Sequence, residues 1–138
     1  MSSEAILCVD DEAVILLAIK QELRRHFSGR YTIETAMDAA EAQAIIEELE
    51  SRGVSTALVI SDWMMPGMRG DQFLVELHAK RPGIKAILIT GLSDEDSEKA
   101  WKDSGLCACI RKPWRSEELY RAIENCLAGR GQSCDAPD

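Results

Sequence analysis

ALVISDWMMPGMRG, residues 57 to 70, is the stretch whose reading decides the fold. It opens on Ala57-Leu58-Val59-Ile60, too short for a buried helix and rich in branched side chains. Such a run forms a strand buried on both faces of a parallel sheet. It ends in a carboxylate, Asp62, after which Pro66, Gly67 and Gly70 impose a loop. An acidic side chain therefore stands at the carboxyl end of a central strand, the rim on which open α/β sheets bind ligands. Taken alone, Asp62 serves equally well as a turn former or as the cap of the next helix. Its neighbours along the rim decide between these roles.

The 138 residues suffice for one domain with a single sizeable core. Apolar residues at 46% and charged residues at 29% are ordinary for a water-soluble chain. No apolar run approaches the roughly 20 residues that cross a bilayer, and no signal peptide opens the sequence. No membrane role is expected, and the cytoplasm is the expected location. A formal charge of −8 argues against nucleic acid as a direct partner, because phosphate backbones call for a basic surface. The five cysteines (Cys8, Cys107, Cys109, Cys126 and Cys134) are odd in number and lack framework spacing, so reduced, buried thiols are expected. Cys107-x-Cys109 has no second pair or histidine to complete a zinc site.

Outward from the central stretch, apolar runs and helical periodicity alternate. Ala5–Val9 reads as a strand ending in Asp10-Asp11-Glu12, and Glu12 to Phe27 as a helix with Ile15, Leu16, Ile19 and Leu23 on one face. A strand over Tyr31–Ala36 leads to a helix capped by Asp38 and running to about Glu50. After the central strand comes a helix from about Asp71 to Lys80, then a strand over Ile84–Thr90. Ser93 with Asp96 opens a helix to about Ser104. A short strand over Cys107–Ile110 and a helix capped by Ser116 and ending near Leu127 complete the pattern. Residues 129–138 carry no apolar periodicity and read as a disordered tail or the start of a linker. Five strands alternating with five helices predict a doubly wound α/β sandwich of the flavodoxin type, its parallel five-stranded sheet ordered 2-1-3-4-5.

That topology gathers Asp10, Asp11, Asp62, Thr90 and Lys112 along one rim. Carboxylates crowded together raise one another's pKa unless a cation joins them, and hard oxygen ligands suit Mg²⁺. A lysine and a hydroxyl facing such a cluster can hold phosphoryl oxygens, and a carboxylate can act as nucleophile.

The runs ILCVDDE, SDWMMPGMRG, ILITG and IRKPW, in that order and spacing, resemble the receiver domain of bacterial two-component response regulators, the CheY-like family. The resemblance covers about residues 4 to 128. It implies that Asp62 accepts a phosphoryl group from a histidine kinase or histidine phosphotransfer protein. It also implies that Asp11 ligates Mg²⁺ directly, Asp10 largely through water, and that the Met64 backbone carbonyl completes the protein ligands with Asp62. Thr90 bonds the phosphoryl group, Lys112 pairs with it, and the Lys112–Pro113 peptide is cis. The surface that responds comprises the predicted fourth helix, fifth strand and fifth helix, where a downstream protein, a fused output domain or a second copy docks.

Two positions depart from the family pattern. Cys109 stands where an aromatic residue is usual, and Trp114 where phenylalanine is commoner. Trp114, like Trp101 on the predicted fourth helix, reads as a packing or interface residue. The rival readings are an aspartyl-phosphate phosphatase of the haloacid dehalogenase type, which needs Asp-x-Asp rather than the adjacent Asp10-Asp11, and a phosphorylation-independent pseudo-receiver scaffold. No output segment follows Leu127, so a single-domain regulator and a receiver excised from a longer protein are both expected forms.

Overall fold

β1 (Glu4–Val9), β2 (Thr32–Ala36), β3 (Ser55–Asp62), β4 (Lys85–Thr90) and β5 (Ala108–Arg111) pair in parallel in the order β2-β1-β3-β4-β5. The structure is a computed structural model describing residues 3–27, 29–65, 67–90 and 106–128. Four helices are described: α1 (Ala13–Phe27), α2 (Ala39–Ser51), α3 (Gly70–Lys80) and α4 (Ser116–Leu127). The helix expected over 93–104 and the tail 129–138 lie outside the described residues.

The central strands are buried along almost their whole length, as their unbroken apolar runs require. One layer of core joins Ile6, Cys8, Leu58, Ile60 and Ile87 of the sheet to Leu16, Ile19, Leu23 and Phe27 of α1 and to Leu119, Ile123 and Cys126 of α4. The opposite layer joins Leu7, Val9, Val59 and Leu88 to Ala42 and Ile46 of α2 and to Phe73, Leu74 and Leu77 of α3. Alternate side chains of each strand thus feed alternate layers.

Register then sets the rim. Val9 faces Ser61, Ile89 faces Asp62, and Thr90 faces Arg111. Asp10, one residue past Val9, therefore comes level with Asp62, and Lys112 follows directly on the residue beside Thr90.

Helix starts are partly as expected. Asp38 caps α2: its carboxylate accepts the Glu41 N–H at 2.7 Å while Glu41 accepts the Met37 N–H at 2.7 Å. Ser116 is not the cap of α4. It lies inside the first turn, and Arg115 in extended geometry precedes it.

The cysteines also depart from expectation. Cys107 and Cys126 are joined in a disulfide, with Cα atoms 5.7 Å apart. The strand begins only at Ala108, so Cys107 is free of the strand's alternation. It packs on the α1/α4 layer while Cys109 packs on the other. Cys8 is a free buried thiol, and burial pushes its pKa up to about 12.

Candidate functional site: an acidic rim with one lysine

Asp62 closes β3, and its Oδ1 accepts the Trp63 N–H at 3.0 Å. The loop behind it is drawn tight by glycine. Gly70 donates its N–H to the Trp63 carbonyl at 2.8 Å, and a Cβ on Gly70 would collide with the Asp62 carbonyl oxygen. Gly67 takes φ 83°, in the left-handed region. Met65 and Trp63 tuck into the α2/α3 layer, whereas the Met64 side chain is exposed.

Asp10 leaves the end of β1 buried, its Oδ1 accepting the Glu12 N–H at 2.9 Å. This bond is the helix-entry role that a strand-end aspartate can play, and it occupies one oxygen only. Lys112 reaches back over the rim. Its Nζ stands 3.2 Å from Asp62 Oδ1, 3.5 Å from Asp10 Oδ2 and 3.8 Å from Glu12 Oε1. Its own N–H donates to the Thr90 carbonyl at 2.8 Å, which ties the lysine's backbone to the end of β4. The Lys112–Pro113 peptide is cis. Thr90 is buried at that strand end.

Carboxylate oxygens of Asp10, Asp11 and Asp62 all lie within 4.8 Å of one another. At an effective dielectric of about 20, the buried pair Asp10 and Asp62 repels by on the order of 3 kcal/mol, while Asp11 is exposed to screening water. Burial raises the Asp62 pKa above the usual carboxylate range, and the neighbouring Asp10 adds to it, while Lys112 and the Trp63 N–H only partly offset this. Burial likewise raises Asp10, against the Glu12 N–H and Lys112. Burial pulls the Lys112 pKa down, but the charges of Asp62 and Asp10 outweigh it, so the ammonium is held above its ordinary value. One lysine cannot neutralise three carboxylates. The residues therefore fit a small hard cation, and among the described residues no other group of carboxylates, cysteines and histidines is placed to hold a metal.

The structure brings together Asp10, Asp11, Asp62 and Lys112 as expected, and adds Glu12, which the sequence shows only as the third acid of a run. Cys109 is half-buried on β5 two residues before Arg111, and Trp114 packs against the α1/α4 layer.

A parallel sheet ordered 2-1-3-4-5, with a carboxylate cluster at its switch point and a lysine just past the edge strand, defines a flavodoxin-like α/β domain with its site on the carboxyl rim. The family model for the response regulator receiver domain matches residues 6–124, and the chain belongs to that family. A CheY-like receiver domain protein from Methanospirillum hungatei is 33% identical, with a TM-score of 0.80 and coverage of 92% of this chain and 95% of that one. The signal receiver domain of an HD domain-containing protein from Pseudomonas fluorescens is 34% identical, with a TM-score of 0.79 and the same coverage of 92% and 95%. The response regulator Rre1 of Synechocystis is 30% identical over 96% of this chain, which corresponds to 55% of Rre1. The chain spans about half the length, or less, of the curated relatives it matches. Receiver domains of two-component systems are signalling modules that work with histidine kinases and output domains. Among the described residues, no helix is long and apolar enough to cross a membrane.

Proposed function

We propose that residues 4–128 form a receiver in which Asp62 takes a phosphoryl group from the phosphohistidine of a histidine kinase or phosphotransfer protein. The observation that carries this reading is the Lys112 ammonium, 3.2 Å from a buried, ionisable strand-end carboxylate that two further carboxylates adjoin. A carboxylate oxygen of Asp62 attacks phosphorus, the P–N bond breaks, and its electron pair returns to the donor imidazole. Asp10, Asp11, Asp62 and the Met64 carbonyl would hold Mg²⁺. When bound, the ion neutralises charge that gathers on the phosphoryl oxygens.

Lys112 pairs with a second phosphoryl oxygen, and its raised pKa keeps it protonated for that task. The Thr90 hydroxyl, at the end of β4, bonds a third. Adding a roughly dianionic group draws both side chains inward and shifts a pre-existing two-state equilibrium. The shift reaches the face that carries β5 and α4, where an output protein, a fused output domain or a second copy docks. A phosphohistidine donor is regenerated from ATP, which places the exchange in the cytoplasm.

The test is labelling by acetyl phosphate with Mg²⁺, read by mass spectrometry. One phosphoryl group per chain is expected, on Asp62, with none in Asp62→Asn and none in the presence of a chelator. Labelling that persists in Asp62→Asn would falsify the assignment.

A further inference from the structure

Cys107 and Cys126 stand apart from the acidic rim, at the opposite end of β5. Cys107 enters the sheet there, its N–H donating to the Ala86 carbonyl at 2.7 Å. Cys126 lies in the last turn of α4, fully buried among α1 and the sheet. Their bond closes a loop that contains the whole of β5, Lys112 and nearly all of α4. The two cysteines differ in access: Cys107 is half-buried, whereas Cys126 is sealed. Neither of the other described thiols competes for the bond. Cys8 is buried in β1 with its pKa pushed up to about 12, and Cys109 packs on the opposite layer.

We propose that Cys107 and Cys126 form a reversible thiol–disulfide site that exchanges with low-molecular-weight disulfides and thiols, and that its oxidised state fastens α4 to the sheet. Access sets the order of events. In the reduced pair, the Cys107 thiolate attacks one sulfur of the small disulfide and expels one thiolate, leaving a mixed disulfide. Cys126 then attacks the Cys107 sulfur, its proton passing to the departing sulfur, which leaves as the second small thiol. Two protein thiols have become one disulfide, and the oxidant has become two thiols. Reduction reverses this, with the incoming thiolate meeting Cys107 first.

The helix does not depend on the bond for its place. Leu119, Ala122 and Ile123 stay packed, and His26 Nε2 holds Glu124 Oε2 at 2.7 Å across to α1. Opening the bond therefore loosens α4 without detaching it. In reducing compartments such pairs open and act transiently. On the reading of Asp62 as phosphoacceptor, oxidation restrains the very face that carries the output.

The test uses the chain as it stands, equilibrated in mixtures of oxidised and reduced glutathione and then alkylated in denaturant. Cys107 and Cys126 are expected to label only in the reduced state and to become protected again on re-oxidation, while Cys8 and Cys109 label in both. Full labelling of the pair after oxidation, or linkage of either partner to another cysteine, overturns the site. Backbone amides of residues 116–127 are expected to exchange roughly tenfold to a hundredfold faster in the reduced protein. Identical exchange in the two states overturns the restraint.

Cys107→Ser keeps the buried Cys126 side chain in place and is expected to show reduced-state exchange under both conditions. Failure of acetyl phosphate to label Asp62 would sink the phosphoacceptor reading and leave the thiol result standing.

Discussion

The ammonium of Lys112 lies within 3.8 Å of Asp10, Asp62 and Glu12, and so holds together a rim that would otherwise repel itself. The position of Asp62 under that ammonium depends in turn on a residue with no side chain. Gly70 begins α3 directly against the Asp62 carbonyl, and any Cβ there forces the two backbones apart. Gly70→Ala is expected to cost about 1–3 kcal/mol, the range for overpacking a tight site. Because the displaced group is the backbone of Asp62, acetyl phosphate labelling should slow as well. Urea denaturation and labelling rates read the two effects separately, and unchanged stability would show that the loop yields freely. Ser61 gives a contrast. Its Oγ donates to the Asp62 carbonyl at 3.0 Å, a bond that steadies the strand end without crowding it.

Between elements, the Arg81 guanidinium at the end of α3 grips Glu50 of α2 through two bonds, Nε to Oε2 at 2.8 Å and Nη2 to Oε1 at 3.0 Å. Those hydrogen bonds hold the Glu50 carboxyl below its usual pKa, against a small opposing effect of burial. A lowered carboxylate pKa stabilises the fold above the unfolded-state value of 4.5, and that stabilisation is lost as pH falls through the folded-state value. Both side chains are partly exposed, so the solvent-screened worth is at most about 1 kcal/mol at low salt. Arg81→Gln is therefore expected to lower stability slightly near neutral pH and by less at an acid pH well below 4.5. Urea midpoints at the two pH values check this, and an equal loss at both would mean packing rather than charge.

Contacts of this sideways kind are what sequence reading misses. The five strands and four described helices are legible because buried parallel strands are continuous apolar runs and packed helices repeat every 3.6 residues. Asp10, Asp11, Asp62 and Lys112 are legible because each stands at or just past a strand end, and parallel topology gathers strand ends. Nothing in the local pattern announces that Cys107 meets Cys126, that Glu12 turns to Lys112, or that Arg81 finds Glu50. Each depends on how far a loop lets two elements slide past one another. The start of α4 fails differently: Ser116 is a good cap by type, yet the preceding arginine already takes the extended conformation of a cap and the helix begins one residue early.

At the scale of the whole molecule, the rim with Asp62 is bordered by apolar side chains that the core does not use. Val14 is 81% exposed and Leu17 58%, both in the first turns of α1, while Leu16, Ile19 and Leu23 on the other face are buried. Met37 at the start of the β2–α2 connection and Met64 in the β3–α3 loop, 43% and 58% exposed, extend the same border. Leu16, Leu17, Lys20, Met37 and Glu41 line a shallow groove between α1 and α2 beside it. Single exposed apolars are ordinary, but these four lie on the first turns of α1 and on connections that follow the carboxyl ends of β2 and β3. Leu17 and Met37 share one groove, which offers a helix an apolar place to pack. On the proposed reading of Asp62 as phosphoacceptor, a kinase or phosphotransfer helix comes to this rim with its phosphohistidine, and an apolar face would align it. A small-molecule donor needs no such alignment. Val14→Ser combined with Leu17→Ser is accordingly expected to slow phosphotransfer from the cognate kinase by roughly tenfold, as truncating two interface contacts does, while acetyl phosphate labels Asp62 at the unmodified rate. Equal slowing with both donors would trace the effect to the fold, and no slowing with either would place the kinase on another face.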